Sequence, residues 1–148
     1  MNLGEIISDG QVAVDVAVTS KKRALEEIAR LLAPGAPSVG HADILASLAG
    51  REKLGTTGLG HGVAIPHGRI PGIRASVGAF ARLKHPVDYE ANDGQPVDLV
   101  FGLLVPQNAT GEHLQHLKAI AEKFSDDAFC ERARAAPDAA ALRQLLLL

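Results

Sequence analysis

The chain has 148 residues, 47% of them apolar and 22% charged, with a net charge of -2 at pH 7. That length suits one soluble domain, residues 1–148, with a substantial core. The near-neutral charge and the 3% aromatic content exclude the basic footprint and stacking surfaces of a nucleic-acid binder.

Gln11 to Val18 is valine-rich with partial alternation and is predicted as a strand. Ser20 is placed to cap a helix from Lys21 to about Leu32, with Ala24, Ile28, Leu31 and Leu32 on one face. Pro34-Gly35 ends it, and Ser38 is expected to cap a second helix carrying Ile44, Leu45 and Leu48, stopping near Gly50. A loop follows from Arg51 to His67, with Val63-Ala64-Ile65 as a short strand within it. Ala75–Leu83 and Val97–Val105 are predicted as strands, joined through the turn chemistry of Ala91-Asn92-Asp93-Gly94. Thr110 is expected to cap a helix from Gly111 to about Phe124 with Leu114, Leu117, Ile120, Ala121 and Phe124 as its apolar stripe. A helix near Asp126 to Ala135 carries Cys130, read as a small buried hydrophobe, and Pro137 is expected to open a last helix that ends on Leu145–Leu148. Strands interspersed with helices imply an α/β domain with a mixed parallel and antiparallel sheet of about five strands.

Cys130 is the single cysteine, which excludes an intramolecular disulfide framework and fits a reducing cytoplasm. No apolar run is long enough to span a bilayer, and the first residues lack the basic and apolar regions of a signal peptide. The expected location is therefore cytoplasmic, without membrane insertion.

Chemistry concentrates in Ala64-Ile65-Pro66-His67-Gly68-Arg69. Pro66 fixes its own φ and pushes Ile65 towards an extended conformation. Gly68 is expected to leave open space and backbone freedom beside the imidazole. His67 is thereby presented at a strand end, where it can serve as nucleophile, metal ligand, general base or structural residue. If one ring nitrogen donates to a backbone carbonyl, the other keeps the lone pair. Upstream, Gly55 to Gly62 offers backbone N–H groups for an anion nest, and Thr56 and Thr57 add hydroxyls. Arg51 and Arg69 can balance phosphate charge. In the first turn of the helix capped by Thr110, His113 meets the positive dipole end, where it can help hold a phosphoryl group on His67 or stand as a polar surface residue.

Competing chemistries lack their signatures. Gly50 and Gly55 have Walker A spacing, but Thr56-Thr57 stands where the phosphate-binding lysine should be, and no G-x-G-x-x-G occurs, so neither ATP nor NAD is indicated. His61, His67, His113 and His116 supply imidazoles for zinc, yet there is no H-E-x-x-H and no cysteine pair. No G-x-S-x-G suggests a serine hydrolase. No cofactor or metal is expected.

Arg51-Glu52, Thr56-Thr57-Gly58 and Gly62-Val63-Ala64-Ile65-Pro66-His67-Gly68 together resemble the IIA domains of the fructose/mannitol class of the bacterial phosphoenolpyruvate phosphotransferase system. Ser20–Glu26, Arg51–Gly55, Gln95–Leu99 and Leu103–Pro106 narrow the resemblance to that family's nitrogen-regulatory branch, over about Ile6 to Ala136. The resemblance implies one IIA-type domain in which His67 is phosphorylated through Nε2, His113 sits beside it and Arg51 is the active-site arginine. Thr56, Thr57 and Gly58 would form the phosphate-binding loop, Thr56-Thr57 standing where relatives often carry Ser-Thr. It implies an HPr-like phosphocarrier as donor and regulated target proteins, such as those of potassium transport or a sensor kinase, as partners. A sugar-transport IIA that passes the phosphoryl group to a IIB domain is the alternative. His61, His116 and Arg69 receive no role.

Overall fold

The computed structural model describes residues 3–147, so the expectation for Leu148 lies outside the described residues. Six strand segments build one mixed sheet: β1 (Val12–Val16), β2 (Gly58–Gly60), β3 (Val63–Ala64), β4 (His67–Ile70), β5 (Val77–Val87) and β6 (Val97–Pro106). The order is β1-β5-β6-β3-β2, with β4 also paired to β6. β5 runs antiparallel to β6, whereas β3 and β4 run parallel to it. β6 is the buried centre and alternates from Leu99 onward: Leu99, Phe101, Leu103 and Val105 face one core, Val100 and Leu104 the other.

α1 (Lys21–Leu32) and α2 (His41–Glu52) cover one face of the sheet. α3 (Gly111–Phe124), α4 (Asp127–Ala135) and α5 (Ala139–Leu147) cover the other, where Phe80, Phe101, Phe124 and Phe129 cluster with ring centroids 5.2 to 6.0 Å apart. Cys130 is buried in that layer, its thiol 3.2 Å from the Phe124 carbonyl. No helix of the described residues is long and apolar enough to cross a membrane.

Most expected elements stand where the pattern put them, including α1 with its Ser20 cap, whose hydroxyl accepts from the Arg23 N–H at 3.1 Å. Four expectations are corrected. Ser38 does not cap α2; its hydroxyl donates to the Gly72 carbonyl at 2.7 Å, and Gly40 is the cap residue. Pro137 does not open α5, because the Asp138 carboxylate accepts from the Ala141 N–H at 2.8 Å and the helix starts at Ala139. The Arg51–His67 stretch is not one loop: Arg51 and Glu52 close α2, β2 and β3 make the Gly-rich segment a hairpin, and His67 opens β4. Leu114 is 44% exposed and does not join the α3 stripe, which is buried at Ile120 and Phe124.

Candidate functional site

Pro66 breaks the strand that delivers His67. Ala64 pairs with Val100 and His67 with Leu103, so β3 and β4 advance three residues while β6 also advances three. They are one strand in register, interrupted where proline has no N–H to give to the ladder. The Pro66 carbonyl still accepts from the Leu103 N–H at 3.0 Å, whereas the Ile65 peptide faces away from β6, its N–H donating to the Thr57 carbonyl at 3.0 Å and its own carbonyl standing outside the β6 ladder. The imidazole of His67 folds back onto it, with Nδ1 2.8 Å from the Ile65 oxygen. That contact assigns the proton to Nδ1 and leaves Nε2 with the lone pair.

Register also sets the direction of each neighbour. His67 pairs with Leu103 and shares its face, towards α3. Gly68 pairs with Leu104 and faces α2. A Cβ there would lie 3.1 Å from Cβ of Ser47 and 3.3 Å from its backbone carbon. The open space expected at Gly68 is therefore filled by α2, and the residue is glycine because a helix lies against the strand.

His67 is half-buried between two cavities of about 400 and 430 Å3. Arg51 and Leu117 line both. Arg51 stands in the last turn of α2, with Nη1 donating to the Gly55 carbonyl at 2.9 Å. The second cavity also takes in Thr56, Thr57 and Gly58. Leu54, Leu59 and Leu114 are 84%, 49% and 44% exposed, and each lines one of these two cavities. An apolar rim thus surrounds a polar centre.

The two threonine hydroxyls are already engaged. Thr57 donates both its N–H, at 3.1 Å, and its hydroxyl to the carboxylate of Glu52, and its Oγ1 lies 3.2 Å from the hydroxyl of Tyr89. Glu52 is itself buried and paired with Lys21 at 3.0 Å. Burial, and next the charge of Glu52, push the Tyr89 phenol far above its ordinary value. Thr56 donates to the Tyr89 carbonyl at 3.3 Å and accepts from the Gly58 N–H at 3.1 Å. Gly58 packs on Ala91, whose Cβ would sit 2.8 Å from any Cβ added there.

His113 occupies the third position of α3, and its ring reaches back over the helix start. Its Nδ1 accepts from the Thr110 N–H at 3.3 Å, the reverse half of a capping box. The neutral ring then carries its proton on Nε2, as a donor. His113 lines neither cavity at His67, although Leu114 and Leu117 of the same helix do.

Of the remaining candidates, only Arg69 lines a cavity at His67. His61 sits at the tip of the β2–β3 hairpin with φ 57°, where its N–H donates to Asp93 at 2.9 Å and its carbonyl accepts from Arg134. His116 bonds Ser76 at 2.9 Å. Arg69 is exposed, lines the cavity of about 400 Å3 together with His67 and Arg51, and reaches the Gln107 carbonyl at 3.4 Å. Among the described residues no group of three or more His, Cys, Asp or Glu side chains is placed to hold a metal ion. Sequence reasoning missed Lys21, Glu52 and Tyr89 as the frame of the loop, and Leu54 and Leu59 as its rim. The available signal was the pair of leucines, each isolated among glycine and polar residues with no helical or strand periodicity to place it inside.

This chain matches the family model described as phosphoenolpyruvate-dependent sugar phosphotransferase system, EIIA 2, over residues 5–147. It is 45% identical over 147 residues to the nitrogen regulatory protein of Pseudomonas aeruginosa, covering 99% of this chain and 96% of that one. It is 43% identical over 129 residues to the nitrogen regulatory protein of Escherichia coli, covering 86% and 78%. The crystal structure of nitrogen regulatory protein IIA-Ntr from Neisseria meningitidis superposes with a TM-score of 0.92 at 48% identity, covering 97% of this chain and 98% of that one. The IIA mannitol structure from Escherichia coli, at 21% identity and a TM-score of 0.77, shares the fold.

Proposed function

The chain belongs to the EIIA 2 family of the phosphoenolpyruvate-dependent sugar phosphotransferase system, and on that premise we propose that it is a regulatory IIA protein phosphorylated on Nε2 of His67. The observation that carries the reading is the 2.8 Å contact of Nδ1 with the Ile65 carbonyl. It holds the ring in the tautomer whose Nε2 is nucleophilic. Residues 1–148 act as one IIA-type domain in the cytoplasm.

The donor is a phosphohistidine on an HPr-like phosphocarrier. The donor's N–P bond breaks as a bond forms from Nε2 of His67 to phosphorus. The electron pair returns to the carrier's imidazole, and Nδ1 keeps its proton on the Ile65 carbonyl. Such transfer is mainly positioning and charge stabilisation. Arg51, at the meeting of both cavities, offers its remaining N–H groups to the phosphoryl oxygens. His113 complements His67: its Nδ1 is an acceptor towards Thr110, so its Nε2–H is the donor available to a phosphoryl oxygen. Thr56, Thr57 and Gly58 contribute the shape of the loop more than hydroxyl donors, since both hydroxyls already have protein partners.

The regulatory output follows from charge. Phosphorylation adds about -1.5 to -2 at pH 7 inside a rim of exposed leucines. A target docked on Leu54, Leu59 and Leu114 would have to bury that charge, so the phosphorylated form binds it less well. The relatives' naming as nitrogen regulatory proteins supports this reading over a sugar-transport IIA. Proteins of nitrogen metabolism, potassium transport and sensor kinases are the targets to test.

The experiment is intact-protein mass after incubation with phosphoenolpyruvate, enzyme I and an HPr-like carrier, beside His67→Ala. One acid-labile phosphate on the wild type alone supports the reading. Label persisting on His67→Ala refutes it.

A further inference from the structure

We propose that the cleft between the start of α1 and the end of α2 is a second binding site, for a small amphipathic anion. This cavity measures about 710 Å3, larger than either cavity at His67 and within the range of small-molecule pockets. Leu25, Leu45 and Ala49 form its apolar wall. Lys21, Lys22 and Lys53 supply its ammonium groups.

The charge balance in the cleft selects the ligand. Lys21 is committed, at 3.0 Å to Glu52 and 4.7 Å above the Tyr89 ring. That pair cancels. Lys22 and Lys53 are exposed and take part in no salt bridge among the described residues. Glu90 is the one further carboxylate on the lining. Two free ammonium groups therefore face one carboxylate, beside an aliphatic wall. A carboxylate or phosphate head on Lys22 and Lys53, with an apolar body against Leu25, Leu45 and Ala49, meets both features. An inorganic anion would leave the wall wet, and a cation would meet the lysines.

The cleft is distinct from the His67 site but shares a partition with it. Leu54, Gly55 and Thr56 line the cleft, and Leu54 and Thr56 each also line a cavity at His67. The Gly55 carbonyl is the atom that holds Arg51. An occupant would press on the segment that positions the arginine.

The test is an amide NMR titration of the unphosphorylated protein with hexanoate, inorganic phosphate and hexylammonium as probes. It needs no phosphoryl donor, so its outcome is independent of the reading of His67. Hexanoate is expected to shift the amides of Lys22, Leu45, Ala49 and Lys53 saturably, with a Kd on the order of 1 mM. Phosphate should bind more weakly, and hexylammonium should leave these amides unmoved. The exposed-site double variant Lys22→Gln/Lys53→Gln is expected to weaken hexanoate about tenfold, and Ala49→Phe to fill the wall and abolish binding. Spectral dispersion reports that each variant is folded. Shifts without saturation, shifts confined to the His67 groove, equal binding of hexylammonium, or affinity unchanged in the double variant would each overturn the proposal.

Discussion

The ring of His67 is held by the carbonyl of Ile65, two residues upstream, at 2.8 Å. Pro66 lies between them and fixes the backbone turn from one to the other through its locked φ. A residue with an N–H at that position could continue the ladder between β3 and β4 along β6. With proline there, the ladder loses that one N–H while the Pro66 carbonyl still accepts from the Leu103 N–H at 3.0 Å, and the Ile65 peptide faces away from β6 with its carbonyl within reach of the imidazole.

The tautomer is a first expectation. In the neutral rings of the unphosphorylated protein, histidine nitrogen NMR should find the His67 proton on Nδ1, and the His113 proton on Nε2. After phosphorylation the label should reside on Nε2 of His67. A phosphoryl group on Nδ1 would contradict the geometry at Ile65.

Arg51 should matter to rate more than to stability. Arg51→Lys keeps the charge but loses the fork that binds the Gly55 carbonyl and oxygen atoms together. Transfer from the carrier should slow about tenfold, equivalent to about 1.4 kcal/mol, with Tm nearly unchanged. Rapid-quench kinetics and calorimetry on the same sample separate the two. An unaltered rate would make Arg51 a structural residue of the loop.

Thr57 should behave in the opposite way. Its hydroxyl is shared between Glu52 and Tyr89 in a buried setting, so Thr57→Val leaves polar atoms unsatisfied and should cost about 1–3 kcal/mol. Glu52→Ala strands Lys21 as well and should cost about 3–5 kcal/mol. Denaturant unfolding measures both. The folded fraction of Thr57→Val should still accept label on His67; loss of labelling with unchanged stability would return the hydroxyl to phosphate binding.

Alkaline pH should act through Tyr89, the only tyrosine of the chain. Burial, then the charge of Glu52, hold its folded pKa far above the ordinary value of about 10. The neutral phenol therefore stabilises the fold fully below pH of about 10, and that contribution declines as the pH rises beyond it, because the unfolded chain ionises first. Absorbance at the phenolate band should rise only together with loss of the circular-dichroism signal. Phenolate appearing in the folded protein near its ordinary pKa would contradict the burial.

The helices and the main strands were legible because their signals are local. Ser20 before the amphipathic run from Lys21, Thr110 before α3, and the alternating apolar residues of β6 each act within a few residues of chain. The misread boundaries failed for a local reason too. Ser38 had a competing partner in the Gly72 carbonyl, and Asp138 capped more effectively than Pro137 could initiate. Gly68 was misread because the reason for glycine there is Ser47, in a different element.

Sequence alone determined the feature on which the reading of His67 turns. A proline before a histidine removes one N–H and fixes one φ just ahead of the imidazole, because both are covalent properties of the ring. Sequence also placed Arg51, Thr56 and Thr57 near one another, through chain connectivity. Only the tertiary structure decided what each of them touches. The register of β3 and β4 on β6 turned His67 towards α3 and Gly68 towards α2. The approach of Tyr89 and Lys21 to Glu52 spent the Thr57 hydroxyl inside the protein. The exposure of Leu54, Leu59 and Leu114 around the histidine emerged from packing as well. These are contacts between residues tens of positions apart, and their energies are set by burial and distance, which no local pattern encodes.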